Sequence, residues 1–177
     1  MRRGRPPRLS WVLLCVWSVW IHALTGLAAD VDGLGRWLPD LGLVLLLALG
    51  PRMPASRMAV AAVVVALARA SLGVDPPTAI LAGYFAVCLV HAGLREFVDL
   101  DDPLFRALLA GVASLALSGW WVLVHAVRHP VLDGLSAAAS PFAWRAALST
   151  ATVALAGADL LLRLPGLQPL WKRGRLG

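Results

Sequence analysis

Two long apolar runs separated by a short charged segment set the pattern of the chain. Residues 78–94 carry no formal charge over 17 positions, and residues 107–127 carry none over 21. At about 1.5 Å per helical residue, each run covers roughly 25 to 30 Å, which is the thickness of a bilayer core. The segment between them, residues 95–106, holds charges of both signs. This pattern predicts a transmembrane helical hairpin.

Further apolar runs repeat the pattern along the chain. The other predicted spans are residues 9–29, 37–50, 58–72 and 142–162. The first follows an arginine-rich amino terminus, as in a signal peptide, but its length of about 20 residues exceeds the ~7–15 of a signal core. We therefore predict an uncleaved first span, with cleavage before Asp30 as the alternative. The longest predicted loop is residues 128–141.

Composition agrees with a membrane protein and argues against nucleic-acid binding. Of the 177 residues, 59% are hydrophobic and 15% are charged, whereas soluble domains are about one quarter charged. The net charge is +6, but the basic residues flank the apolar runs and do not form one amphipathic face, so we expect no nucleic-acid partner. Cys15 and Cys88 both fall in apolar runs and are expected to be buried membrane thiols.

The distribution of arginine and lysine predicts the orientation. With the amino terminus inside, twelve of these residues fall in cytoplasmic segments, three on the opposite side, and Arg69 within a span. Cytoplasmic loops normally carry the excess of positive charge, and only an even number of spans puts both basic termini inside. We predict an all-α polytopic membrane protein, a six-transmembrane-helix bundle with both termini cytoplasmic. Its parts are a basic amino terminus at residues 1–8, the membrane domain at residues 9–163 and a basic tail at residues 164–177.

Small residues at helical spacing predict where these spans pack, because they allow helices to approach closely in lipid. They form one stripe in each of three spans: Ala59, Ala62, Ala66, Arg69 and Gly73 in the third, Ala107, Gly111, Ser114 and Ser118 in the fifth, and Ala147, Ala151, Ala154 and Ala158 in the sixth.

Six ionisable groups lie within the spans or at their edges: His22, Asp40, Arg69, His91, His125 and Asp159. Such groups are costly in hydrocarbon and usually find partners inside the bundle. Asp40 and Arg69 lie at similar depth on consecutive antiparallel helices, so we predict a buried ion pair between them. His91 and Asp159, near the inner ends of spans four and six, form a second, less specific pairing.

The sequence does not indicate an enzyme. It contains no HExxH, GxSxG or Walker sequence and no Cys/His metal spacing. Asp99, Asp101 and Asp102 form an acidic run, but it lacks the spaced ligands of a calcium-binding loop, and we interpret it as a solvated turn. We predict no catalytic residues, no metal and no cofactor.

Spans two to five resemble MreD, the bacterial rod shape-determining membrane protein family. The resemblance covers roughly residues 37–117. It consists of Leu38-Pro39-Asp40-Leu41 at the start of span two, a proline-containing turn before Ala82-Gly83-Tyr84, and Asp102-Pro103-Leu104-Phe105-Arg106 before span five. Size, six spans and the basic amino terminus also agree. Similar proteins often carry an acidic residue near the outer end of span three, where this chain has Arg69.

The resemblance implies a non-catalytic scaffold of the cell-wall elongation machinery in the bacterial inner membrane. It implies binding to a single-span MreC-like protein and a link to wall-synthesis enzymes. The family's fold is similar to the substrate-binding subunits of vitamin uptake transporters, so the alternative is a component of a small-molecule transporter. A scaffold predicts a bundle with few pockets, and a transporter predicts an outer cavity lined by polar groups. The candidates for such a lining are Asp40, Arg69, His125 and Asp75.

For a scaffold, the charged segment at residues 95–106 is the candidate docking surface on the inner side, because apolar side chains alternate there with charged ones. The residues concerned are Phe97, Asp99, Leu100, Asp101, Asp102, Phe105 and Arg106.

Overall fold

The computed structural model describes residues 8–31, 35–73, 75–128 and 135–171, and every regular element within these ranges is helical. The helices are α1 (Arg8–Ala29), α2 (Leu41–Leu49), α3 (Ala55–Leu72), α4 (Pro77–Leu94), α5 (Pro103–Arg128), α6 (Leu135–Ala156), α7 (Ala158–Leu162) and α8 (Gln168–Trp171). Single turns of 3₁₀ helix flank α2, at Gly35–Trp37 and Gly50–Arg52. The predicted all-α class is confirmed for the described residues.

Within the described ranges, four helices are long and apolar enough to cross a membrane: α1, α3, α4 and α5. They correspond to the predicted first, third, fourth and fifth spans. Their length and apolar composition identify the chain as a membrane protein. The count of six spans and the cytoplasmic placement of both termini stay predictions.

The second predicted span, residues 37–50, contains a much shorter helix than expected. α2 has nine residues, which is about 14 Å of helix and half of a bilayer core. Residues 42–49 are all buried, because α2 lies among α1, α3, α5, α6 and α7. Residues 38–40, directly before α2, are not helical, which is tolerated at membrane depth when protein surrounds the backbone. α2 is therefore an internal helix of the bundle.

The boundaries predicted for the last span also need correction. α6 begins at Leu135, within the segment expected to be a loop, and ends at Ala156. Three consecutive alanines at residues 137–139 explain the early start, since alanine is the strongest helix former. Gly157 then interrupts the helix before the five residues of α7, as expected where glycine lowers helix stability.

The predicted small-residue stripes lie largely at helix contacts. α5 packs against α6, where a Cβ atom added at Gly111 would lie 3.3 Å from the Cβ of Ala151. In α3, Ala62 and Ala66 are fully buried. Gly73, at the end of that stripe, is exposed. Close contact through glycine and alanine therefore holds the α5–α6 pair together.

The two ends of the bundle differ in their arginine content. One end, which we call the basic end, carries Arg52, Arg57, Arg95, Arg106 and Arg163. At this end Arg95 Nη1 donates to the carbonyl of Met53 at 2.7 Å, joining the end of α4 to the turn between α2 and α3. The opposite end carries Trp37, Asp75, His125 and Arg145. In its centre His125 Nε2 lies 3.1 Å from Asp75 Oδ1.

Candidate functional site

Asp40, Arg69 and Tyr84 meet in the interior near the opposite end, and we call these three residues the Asp40 cluster. Arg69 Nη1 donates to Asp40 Oδ2 at 2.5 Å and to the Tyr84 hydroxyl at 3.1 Å. The Tyr84 hydroxyl donates towards Asp40, 2.9 Å from Oδ1 and 3.0 Å from Oδ2. The structure thus brings together the two residues that the sequence paired, and it adds a tyrosine.

The residues of the Asp40 cluster contact several helices. Asp40 caps α2, because its Oδ1 accepts the backbone N–H of Leu43 at 2.9 Å. Its own backbone N–H donates to Thr150 Oγ1 of α6 at 3.0 Å. Arg69 comes from the last turn of α3 and lies 5.4 Å from the ring of Trp121 on α5. A capping carboxylate stabilises the helix that it caps, so the same side chain orders α2 and fixes its neighbours.

The sequence analysis missed Tyr84 as a member of the cluster. Tyr84 is the single tyrosine of the chain, and it is fully buried in α4. A tyrosine hydroxyl within an apolar span needs a hydrogen-bond partner. Applied to residues 78–94, that requirement would have predicted a polar partner for Tyr84.

A cavity of about 350 Å³ lies against the Asp40 cluster. Its wall includes polar residues from five segments of the chain: His22, Thr25, Asp40, Arg69, Asp75, Ser114 and Ser118. The scaffold hypothesis predicted few pockets, so this cavity differs from that expectation. Three of the four predicted lining residues are present, and the fourth, His125, instead contacts one of them, Asp75.

His22 is the polar group of the cavity wall with an open hydrogen-bonding position. Its Nε2 atom is buried and has no hydrogen-bond partner within the described part of the chain. The ring lies over Gly42, where a Cβ atom would be 2.8 Å from the ring. The charged groups Asp40, Arg69 and Asp75, by contrast, are each paired with another side chain. The unpaired nitrogen is therefore packed against Gly42, and ligand atoms in the cavity would meet charged groups that are already paired.

The predicted docking segment at the basic end is only partly exposed. Phe97 is 82% exposed, whereas Leu100 and Arg106 are buried, with 4% and 3% of their surfaces exposed. Phe105 is half-buried. Leu100 and Arg106 are therefore covered within the chain, and the docking role of the segment stays a prediction.

The three aspartates of this segment are exposed but have local structural roles. Asp99 Oδ1 accepts the backbone N–H of Asp101 at 3.0 Å. Asp101 pairs with Arg52 at 3.5 Å. Asp102 Oδ1 accepts the backbone N–H of Leu104 at 2.7 Å and so caps α5.

His91 and Asp159 do not form the pair that their depth suggested. The His91 ring packs against Gly50. Asp159 Oδ1 instead lies 3.8 Å from Arg106 Nη1 and 3.9 Å from Arg52 Nη2. The predicted pairing is therefore wrong, because α7 directs Asp159 towards the arginines of the basic end.

The fold and the cluster define a class, an all-helical membrane protein whose helices are joined at one end by a buried ion pair. In the ranges that the structure describes, no group of three or more His, Cys, Asp and Glu side chains is placed to hold a metal ion. Comparison of the chain with protein-family models, with curated proteins and with solved structures finds no match. The resemblance to MreD therefore stays a prediction from the residues that carry it.

Proposed function

We propose that this protein is a non-catalytic scaffold of the cell-wall elongation machinery in the bacterial inner membrane. In this role it crosses the membrane six times with both termini in the cytoplasm, binds a single-span MreC-like protein and links it to wall-synthesis enzymes. The MreD-like residues between positions 37 and 117 support the assignment. Phe97, exposed at the basic end, supplies an apolar contact on the cytoplasmic side.

The observation that carries the proposal is the outer face of α1. Of the four long apolar helices, α1 is the least buried, with 17% of its most apolar stretch buried against 28% to 39% in the others. Its exposed large apolar side chains form one stripe along the helix: Leu9, Val12, Val16, Val19, Trp20, Leu24 and Leu27. Cys15 also lies on the exposed side, unlike the buried Cys88. A stripe of this length matches one transmembrane helix of a single-span partner.

The internal pairing of the Asp40 cluster supports the same role. Asp40 accepts hydrogen bonds from Arg69, Tyr84 and the backbone of Leu43, so its charge is compensated within the chain. Buried charges that are fully hydrogen-bonded hold a fixed arrangement. A fixed interior holds the helices in place, and a scaffold needs helices whose outer faces keep a constant arrangement.

A bulky substitution on the α1 stripe tests the scaffold. Val16→Trp is expected to abolish co-purification of a co-expressed MreC-like protein and to turn rod-shaped cells round, because the added ring prevents close helix contact. Val112→Trp on α5 is the matched control, since Val112 is also an exposed membrane valine. If Val16→Trp changes neither partner recovery nor cell shape, the α1 stripe faces lipid and not a partner helix. That result would contradict this form of the proposal.

The cavity supports a second candidate function, the substrate-binding part of a small-molecule uptake system. Its volume of about 350 Å³ lies within the range of ligand pockets, roughly 300 to 1,000 Å³. Thr25, Ser114 and Ser118 contribute hydroxyl groups to its wall. The residue types at its wall fit a small polar molecule.

Filling the cavity distinguishes the two candidates. Gly26 lines the cavity and has open space where a side chain would begin. If the protein binds a small molecule, that molecule should be detected by mass spectrometry in the purified wild type and be lost in Gly26→Leu. Gly119→Leu is the control, because Gly119 also has open space but does not line the cavity. Recovery of the same small molecules from all three proteins would exclude the uptake function at this cavity.

A further inference from the structure

A second pocket, of about 330 Å³, lies at the basic end. We call it the basic pocket, and its lining residues are Arg52, Asp159, Leu162, Arg163 and Gln168. Arg52 ends the turn after α2, and the other four residues belong to α7, its end, and the start of α8. The pocket is therefore formed where the carboxyl-terminal helices fold back over the end of α2. It is separate from the cavity beside the Asp40 cluster.

A buried arginine lies next to the basic pocket. Arg106 is 3% exposed, and its Nε atom has no hydrogen-bond partner among the described residues. Its Nη1 atom is 3.8 Å from Asp159 Oδ1, and Arg52 approaches the same oxygen at 3.9 Å. Both distances are at the long limit for ion pairs. A guanidinium carries five N–H donors in a planar fork, so one distant, shared carboxylate leaves Arg106 with donors to spare.

The charge and geometry of this site favour a phosphate group. Arg52, Arg106 and Arg163 bring three positive charges, while Asp101 and Asp159 bring two negative ones. Arginine forks match the oxygen atoms of phosphate, which accept two parallel N–H bonds. Asp159 approaches Arg106 only at 3.8 Å, which leaves room for a phosphate oxygen beside that guanidinium.

We propose that the basic pocket binds the phosphodiester headgroup of an anionic phospholipid. Basic pockets between membrane helices on the cytoplasmic side bind such headgroups. The segment that carries Arg163 also presents a leucine on its outer surface. Leu160 lies between the pocket residues Asp159 and Leu162, one turn before Arg163, and is 65% exposed. Its side chain offers an apolar surface for an acyl chain, which a free phosphate ion would not use.

Lipid titration of the purified full-length protein tests the proposal. In neutral detergent, native mass spectrometry is expected to detect bound phosphatidylglycerol, and this lipid should raise the midpoint of thermal unfolding. Zwitterionic phosphatidylcholine is expected to bind with at least about tenfold lower affinity. Arg52→Gln with Arg163→Gln should weaken phosphatidylglycerol binding about tenfold or more, since each arginine near an anionic lipid contributes about a factor of five. Arg128→Gln, at the opposite end of the bundle, removes one exposed charge away from the pocket and should change binding by less than about twofold.

Two single variants keep the test valid if the double arginine variant does not fold. Arg163 is exposed, so Arg163→Gln should fold and bind phosphatidylglycerol about fivefold more weakly. Asp159→Asn removes the carboxylate that competes with the phosphate, and it should strengthen binding. Three results would each overturn the proposal. Asp159→Asn could bind phosphatidylglycerol more weakly than wild type, the two lipids could bind equally, or the pocket and control variants could lose equal affinity. Inorganic phosphate that raises the midpoint as much as phosphatidylglycerol would assign the pocket to free phosphate instead.

Discussion

Asp40→Asn is expected to lower the thermal stability of the purified protein strongly. The change leaves Arg69 charged and buried beside a neutral amide, and breaking a buried ion pair in this way commonly costs about 3–5 kcal/mol. It also weakens the acceptor that caps α2 and that receives the Tyr84 hydroxyl. The measurement is the unfolding midpoint in one detergent, for wild type and variant.

A double-mutant cycle isolates the pair itself. Arg69→Gln alone should be comparably harmful, and the double variant with Asp40→Asn should be less harmful than the sum, because neither charge is then left unpaired. Asp30→Asn is the control, since Asp30 is exposed at the end of α1 and surface changes usually stay within about 0.5 kcal/mol. Strict additivity of the two changes would show that the Asp40–Arg69 contact does not contribute.

Gly50→Ala is the second change with a large expected effect. Gly50 has helical dihedral angles, φ −51° and ψ −53°, so an alanine meets no backbone strain there. The obstacle is the His91 ring, which lies within contact distance of any Cβ atom at this position. His91 is 1% exposed and has little room to move away. Overpacking of this kind costs about 1–3 kcal/mol, and the unfolding midpoint should fall accordingly.

A second substitution and a control glycine test whether crowding against His91 causes the loss of stability in Gly50→Ala. His91→Ala removes the ring, so the double variant with Gly50→Ala should be more stable than His91→Ala with glycine retained. Gly93→Ala on α4 should have the opposite sign to Gly50→Ala, because Gly93 has open space around it and alanine favours helix by about 1 kcal/mol. A loss at Gly93 equal to that at Gly50 would contradict the crowding argument.

The ion pair shows what sequence reasoning can reach in this site. Asp40 and Arg69 could be matched because both lie at similar depth in apolar runs, where an isolated charge is costly. Thr150 could not be added, because its place beside Asp40 depends on which helix faces α2. Three residues of the cavity wall were among the candidates of the sequence analysis, but the remaining wall residues were not, since they come from distant parts of the chain.

The segment at residues 95–106 shows the limit of a local pattern. Alternation of apolar and charged residues there suggested one exposed surface. Leu100 and Arg106 are buried instead, and Asp102 is used to cap α5. Local spacing does not tell which side of a turn the rest of the chain covers.

What the sequence determined by itself is the membrane character and the four long helices. Apolar length is a local property, and in lipid the backbone must satisfy its own hydrogen bonds as helix, so a run of 18 residues or more needs no knowledge of its neighbours. The tertiary structure alone decided the role of α2. A helix that is apolar on all sides fits either lipid or a protein interior, and its nine residues became the core because surrounding helices enclose them. It likewise decided the partners of Asp159, because depth restricts a charge to a level of the membrane while packing chooses the neighbour at that level.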